Sequence, residues 1–176
     1  MPALKELMLV GEIKMSLEEI VRELKDRVDI QEVMHEYCRH ADNLDAKSMV
    51  DLFVDDCVAS YVPGSDDYVL RGKGQLTKML SDALAVTVSG SHHISNVEIA
   101  FDTPDQATFF SYMYSWQRFT GFPTTADCHR WGRYEMRFVR TAAGWRMARL
   151  VLLSAGEYGG ARMGEQLGRP FPPTFE

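Results

Sequence analysis

No run of about 18 apolar residues occurs in the chain, so no membrane-spanning helix is expected. Basic residues are the minority charge. There are 19 Lys and Arg against 25 Asp and Glu, a formal net charge of -6. Phosphate backbones need a basic surface, so this balance argues against a nucleic-acid partner. Cysteine is scarce and odd in number. Cys38, Cys57 and Cys128 stand far apart and form no C-x-x-C pair, which excludes a zinc ribbon or a dithiol redox motif. They read as buried thiols in a reducing, cytoplasmic compartment. Internal repeats and low-complexity tracts are absent. The first 15 residues lack the form of a signal peptide, since Glu6 and Glu12 are acidic and the apolar patch 7–10 is short. They read as a loose extension, and Met15-Ser16 offers an alternative start. What remains is ordinary for a soluble protein: 176 residues, 45% hydrophobic and 25% charged, enough for one domain with a real core.

Ser16-Leu17-Glu18-Glu19 has the form of a helix-capping box. Leu17, Ile20, Leu24 and Val28 follow at helical spacing, and the face continues through Ile30, Met34, Tyr37, Ala41 and Leu44. Asp29 and Glu32 repeat the cap signal, so 16–44 is one long helix or two joined near Asp29. A second short helix is expected over 46–54 with Met49, Leu52 and Phe53 inward, and a third over 72–85. Strands are expected over 57–62, 68–70, 92–101, 107–119, 129–141 and 145–155. Turns fall at 63–67, 102–105, 121–123 and 142–144. The domain proper is read as 16–156, and 157–176, within a stretch rich in Gly and Pro, as an irregular tail. Helices first and long consecutive strands afterwards is an α+β order.

The stretch Ile30-Gln31-Glu32-x4-Glu36-Tyr37-Cys38-Arg39-x2-Asp42-x2-Asp45-x6-Leu52-Phe53-x-Asp55-Asp56 resembles the SnoaL-like branch of the nuclear-transport-factor-2-like superfamily. A strand opening His92-His93-Ile94-Ser95-Asn96 and a hairpin ending Gly144-Trp145-Arg146 add to the likeness, which covers roughly 17–155. The resemblance implies a cone-shaped α+β barrel, with N-terminal helices packed in a strongly curved, mixed, mostly antiparallel sheet. It also implies a homo-oligomer, dimer or trimer, because the outer sheet face commonly pairs. Its dehydratase members, similar to scytalone dehydratase and bile-acid 7α-dehydratase, pair an aspartate late in the long helix with a histidine on a facing strand. By spacing from Tyr37 and Phe53 that aspartate is Asp42, not Asp45, and the histidine opening the H-x-I/V-x-N strand is His92. Tyr61 and Tyr37 match helper tyrosines of those enzymes. Where they carry a further acid on the next strand, this chain has Ser115-Trp116-Gln117, so either His129 or Tyr61 supplies the leaving-group acid or that elimination chemistry is absent.

A neutral histidine, with an ordinary pKa of about 6.5, is the natural base near neutral pH, and a carboxylate on its far nitrogen fixes the tautomer. Such a dyad suits proton abstraction beside a carbonyl, and tyrosine hydroxyls suit the oxygen that gains charge. Trp116, Tyr112, Tyr114, Phe53 and Trp131, with Phe109 and Tyr134, would give flat apolar walls to a hydrophobic ring substrate, steroid-like or polyketide-like. His93 takes the opposite strand face from His92 and is the candidate only if His92 is not. His35 and His40 share a helix with Glu32, Glu36 and Arg39 and converge with no other histidine. No metal and no cofactor are therefore expected. The expected activity is a cofactor-independent lyase or isomerase. The alternatives are a non-catalytic partner, resembling the small β subunit of aromatic-ring dioxygenases, and a small-molecule binding module without chemistry.

Overall fold

The computed structural model describes residues 16–61, 69–121 and 127–159. The expected turns at 63–67 and 121–123, the extension 1–15 and the tail beyond 159 lie wholly or largely outside them. The capping box forms: Ser16 Oγ accepts from the Glu19 N–H at 3.2 Å while Glu19 Oε2 accepts from the Ser16 N–H at 2.7 Å. From it α1 runs unbroken over Leu17–Asp42. Asp29 starts no second helix, because its carboxylate takes the Lys25 ammonium one turn earlier. The apolar spacing at 17–28 is real but does not face the core. Leu17, Ile20, Leu24 and Val28 are exposed, and burial starts with Asp26 and Ile30.

Asp26 marks where the helix meets the sheet. Its carboxylate accepts two hydrogen bonds from Arg140, at 2.9 and 2.6 Å, and one from Trp145 Nε1 at 3.1 Å. The Arg140 guanidinium also lies 4.5 Å from the Trp145 ring centre. A charge this buried is tolerated because every lobe of it is paired. One clamp therefore fixes α1 to the closing hairpin, and everything C-terminal of it along the helix, up to Asp42, is aimed by it.

The short α2 covers Ala46–Asp51 and α3 covers Gly72–Ala85. The strands are β1 (Phe53–Ser60), β2 (Val69–Arg71), β3 (Thr87–Thr103), β4 (Gln106–Phe119), β5 (Cys128–Thr141) and β6 (Gly144–Tyr158). They form one six-stranded sheet in the order β2-β1-β6-β5-β4-β3. Only β1 and β6 are parallel; the other neighbours are antiparallel. The sheet is mixed and not closed, so the cone retains β2 and β3 as its edges. Several boundaries differ from expectation: β3 already starts at Thr87, ahead of His92, and two further differences have a local cause. The second helix stops at Asp51 and Phe53 already pairs with Met147, because the apolar pair Leu52-Phe53 is buried at the start of a strand. The last strand continues to Tyr158, so Gly156 and Glu157 belong to the sheet and not to an irregular tail. All three cysteines are buried and free, as expected.

Candidate active site

The end of α1 brings Asp42 against His92, within the first half of β3. Asp42 Oδ1 lies 2.6 Å from His92 Nδ1, and Oδ2 accepts from the His92 backbone N–H at 3.1 Å. A carboxylate at a helix C-terminus is disfavoured by the helix dipole, and these two donors supply the compensation. Partial burial would raise the carboxyl, but the hydrogen bonds from the His92 ring and backbone hold it below its ordinary value. It is therefore an anion that only accepts. Nδ1 is accordingly the donor, and in the neutral imidazole its hydrogen sits there and Nε2 is left bare. Asp45, three residues on, serves the next helix instead. Its Oδ1 accepts from the Ser48 N–H at 3.0 Å and caps α2.

His92 borders a cavity of about 100 Å³ between α1, α3 and the concave face of the sheet. Met49, Met79, Leu80 and Met113 supply much of its apolar wall. Tyr37 and Tyr61 also line it, and their hydroxyls are 2.7 Å apart. One phenol donates to the other, so the pair keeps one hydrogen to offer a ligand. Burial pushes the phenols of Tyr37, Tyr61 and Tyr134 up, which keeps them protonated donors. Burial, with the Asp42 charge beside it, pushes the Cys38 thiol up to about 12, so no thiolate nucleophile is available there.

Sheet register decides the remaining candidates. His92 lies opposite Ser115, so Ser115 and its alternates face inward. Tyr112, Tyr114 and Trp116 consequently lie on the outer face, away from the cavity. Trp116 donates to Asp127 there at 3.1 Å and stacks under Arg118. Trp131 and His129 pair with Tyr114 and Trp116 and share that outer face. The Tyr114 hydroxyl is 2.7 Å from His129 Nδ1. His93 is also outside, its ring 6.0 Å from Tyr114. The expectation that these rings wall the pocket, and that His129 supplies an acid, is thus corrected: strand parity turns all five outward. Phe53 is inside but packs edge-on behind Tyr37 at 6.1 Å, a core role. Phe109 is wholly buried against Phe138.

Three polar residues of the cavity wall were not among the candidates from the sequence, Ser115, Gln117 and Arg130. The signal for Arg130 was present in β5. Cys128, Tyr134, Met136 and Phe138 are apolar at even positions, which assigns Arg130 to the inner face. A bulge brings its partner into line. Trp131 lies opposite Gly156 and Gly132 opposite Ser154, which leaves Ala155 as an extra residue and puts Glu157 opposite Arg130. Gly156 has to be glycine, since a Cβ there would stand 2.7 Å from the Trp131 ring. Among the described residues no cluster of His, Cys, Asp and Glu is arranged to hold a metal ion.

A family model for the SnoaL-like domain matches residues 22–151. No curated protein matches the chain. Among solved structures the chain is similar to a candidate scytalone dehydratase from Novosphingobium aromaticivorans DSM 12444, at 24% identity and a TM-score of 0.74 over 81% of this chain and 93% of that one. It is also similar to a candidate aromatic ring hydroxylase from Novosphingobium aromaticivorans, at 21% identity and a TM-score of 0.71 over 77% and 94%. A hexachlorocyclohexane dehydrochlorinase from Novosphingobium barchaimii LL02 matches at 12% identity and a TM-score of 0.69 over 88% and 99%. At these identities the likeness speaks to the fold.

Proposed function

The chain belongs to the SnoaL-like family, and from that premise we propose that it is a cofactor-independent lyase or isomerase that moves a proton on a hydrophobic ring compound. The observation that carries the reading is the 2.6 Å contact between Asp42 and His92 at the cavity wall. His92 Nε2 takes the proton from a carbon beside a carbonyl, and Asp42 stabilises the imidazolium that results. The hydrogen left over by the Tyr37–Tyr61 pair goes to the oxygen that gains charge. If the substrate bears a hydroxyl one carbon further on, the imidazolium returns the same proton to that oxygen and water departs. If it bears a double bond there, the proton returns to carbon and the bond shifts. One base serving both steps removes the need for a further acid where Ser115 and Gln117 stand.

The cavity volume narrows the substrate. An apolar cavity of about 150 Å³ takes up benzene, so about 100 Å³ is the scale of a single ring. The cavity accordingly encloses one ring of a compound at the small end of the polyketide-like range, and a second ring, or the remainder of a steroid, would have to project out of it. Wild type and His92→Gln are to be assayed against cyclic β-hydroxy-ketones and β,γ-enones by the absorbance of the conjugated product. Loss of at least about 100-fold in turnover is expected. Equal turnover by a correctly folded variant refutes the reading.

The outer face favours an assembled protein. Tyr112, Tyr114, Trp131 and Tyr158 are exposed across β4 to β6, a row of aromatics that a second protein surface would cover. A second copy of the chain, as dimer or trimer, is the proposed cover. A larger oxygenase subunit is the alternative, in line with the likeness to the candidate aromatic ring hydroxylase.

A further inference from the structure

We infer that Arg130 selects the substrate and that the substrate is an acid: a ring compound whose carboxylate replaces Glu157 on the guanidinium while His92 reaches a ring carbon. This rests on the reading of the cavity as the substrate site. His92, Ser115, Arg130 and Glu157 form one transverse row across β3, β4, β5 and β6, each directly opposite the next. The first three line the cavity. Two strand spacings separate His92 from Arg130, roughly 10 Å of backbone, a span that a one- or two-ring acid bridges with side chains reaching in from both ends.

Arg130 is the one cation among the described residues lining a mostly apolar cavity. An arginine facing such a space needs an anion, and the one it has is loosely held. Arg130 Nε and Nη2 donate at 3.1 and 2.7 Å to the same oxygen, Glu157 Oε2. The guanidinium edge that can take both oxygens of a carboxylate is therefore filled by one. Both side chains are about one-third exposed, so the pair contributes little and Glu157 can turn to solvent. Among the described residues Nη1 makes no hydrogen bond. The Gln117 amide, also on the cavity wall, is a neutral donor for the same group. A single guanidinium matches the single charge of a carboxylate.

The test is calorimetric titration with 2-naphthoate and its neutral isostere 2-acetylnaphthalene. Wild type should bind naphthoate at least tenfold more tightly than the ketone. Arg130→Gln should abolish that preference, Arg130→Lys should weaken it, and Glu157→Gln, which removes the competing carboxylate, should strengthen it. Equal affinity for the two probes in wild type, or a preference that survives Arg130→Gln, overturns the inference. Should Arg130→Gln fail to fold, Glu157→Gln decides alone, and unchanged or weaker naphthoate binding overturns it. The readout is binding, so it separates this inference from the proposed chemistry. A protein that binds naphthoate through Arg130 but moves no proton contradicts only the chemistry. One that converts ketones without carboxylate preference contradicts only the role of Arg130.

Discussion

Replacing Asp42 by Asn should invert the tautomer of His92. In the native arrangement both Asp42 oxygens accept, Oδ1 from the ring Nδ1–H and Oδ2 from the His92 backbone N–H. An asparagine offers one acceptor and one donor to the same two positions. With its carbonyl toward the ring, its NH₂ would meet the backbone N–H, donor against donor. The amide therefore turns: the carbonyl takes the backbone N–H and the NH₂ donates to Nδ1, which has to give up its hydrogen. The hydrogen moves to Nε2, the nitrogen that faces the substrate, and the base is blocked. Turnover should fall roughly 10³- to 10⁴-fold, the scale on which a mis-set tautomer disables such a dyad. The fold should survive, since the exchanged hydrogen bond to a charge is worth about 1.5–3 kcal/mol. Nitrogen-15 shifts of the imidazole report the change without any substrate. Wild type should show protonated Nδ1 and bare Nε2, and the variant the reverse. A wild-type Nε2–H tautomer, or an unchanged one in Asp42→Asn, refutes the reasoning.

The clamp at the other end of α1 gives a stability prediction. Asp26→Ala strands Arg140 and Trp145 Nε1, and loss of one partner of a buried pair costs about 3 kcal/mol, near 10 °C in melting temperature for a chain of this size. The acid dependence follows from the same group. Burial would raise Asp26, but Arg140 and Trp145 together lower it. Its stabilisation is thus complete above its unfolded value near 3.9 and is lost as pH falls through the lower folded value. Melting curves of Asp26→Asn below about pH 4 should lack that part of the acid sensitivity. Ser111 Oγ is wholly buried with no hydrogen-bond partner among the described residues. Ser111→Ala should accordingly stabilise, by about 1 kcal/mol in denaturant titration, and destabilisation would show a hidden partner. On the outer face Tyr112→Glu with Trp131→Glu should shift the species seen by light scattering toward monomer while the Asp42–His92 geometry stays intact. An unchanged mass excludes that face as the interface.

Much of the fold was legible because its signals are local. The capping box at Ser16, the helix of 72–85 and the hairpin at 142–144 depend on neighbours in sequence. The meeting of Asp42 with His92, fifty residues apart, could be expected only through the family resemblance, since no periodicity joins a helix end to a strand. The aromatic walls were misjudged for a physical reason. β4 is apolar on both faces, with Ala107, Phe109 and Met113 on one and Phe110, Tyr112 and Tyr114 on the other. Aromatic character pointed to rings of both faces as pocket wall. The interior is already filled by α1, so the smaller set faces in. Only the pairing of His92 with Ser115 settles that parity. Arg130 was passed over because His129 was the candidate of its strand and alternation puts its neighbour on the other face, although the even apolar positions of β5 assign Arg130 inward. The bulge at Ala155, which supplies its partner, has no sequence signature beyond Gly156.

In the proposed chemistry His92, held by Asp42, removes a proton from carbon inside the cavity. Carbon–hydrogen exchange tests it without knowledge of the natural substrate. Small cyclic ketones such as 2-tetralone, incubated in D₂O with the protein, should gain deuterium beside the carbonyl by proton NMR. The rate with wild type should exceed the buffer rate, and His92→Gln and Asp42→Asn should return it to the buffer value. Exchange that persists in folded His92→Gln would contradict the assignment of His92 as the base.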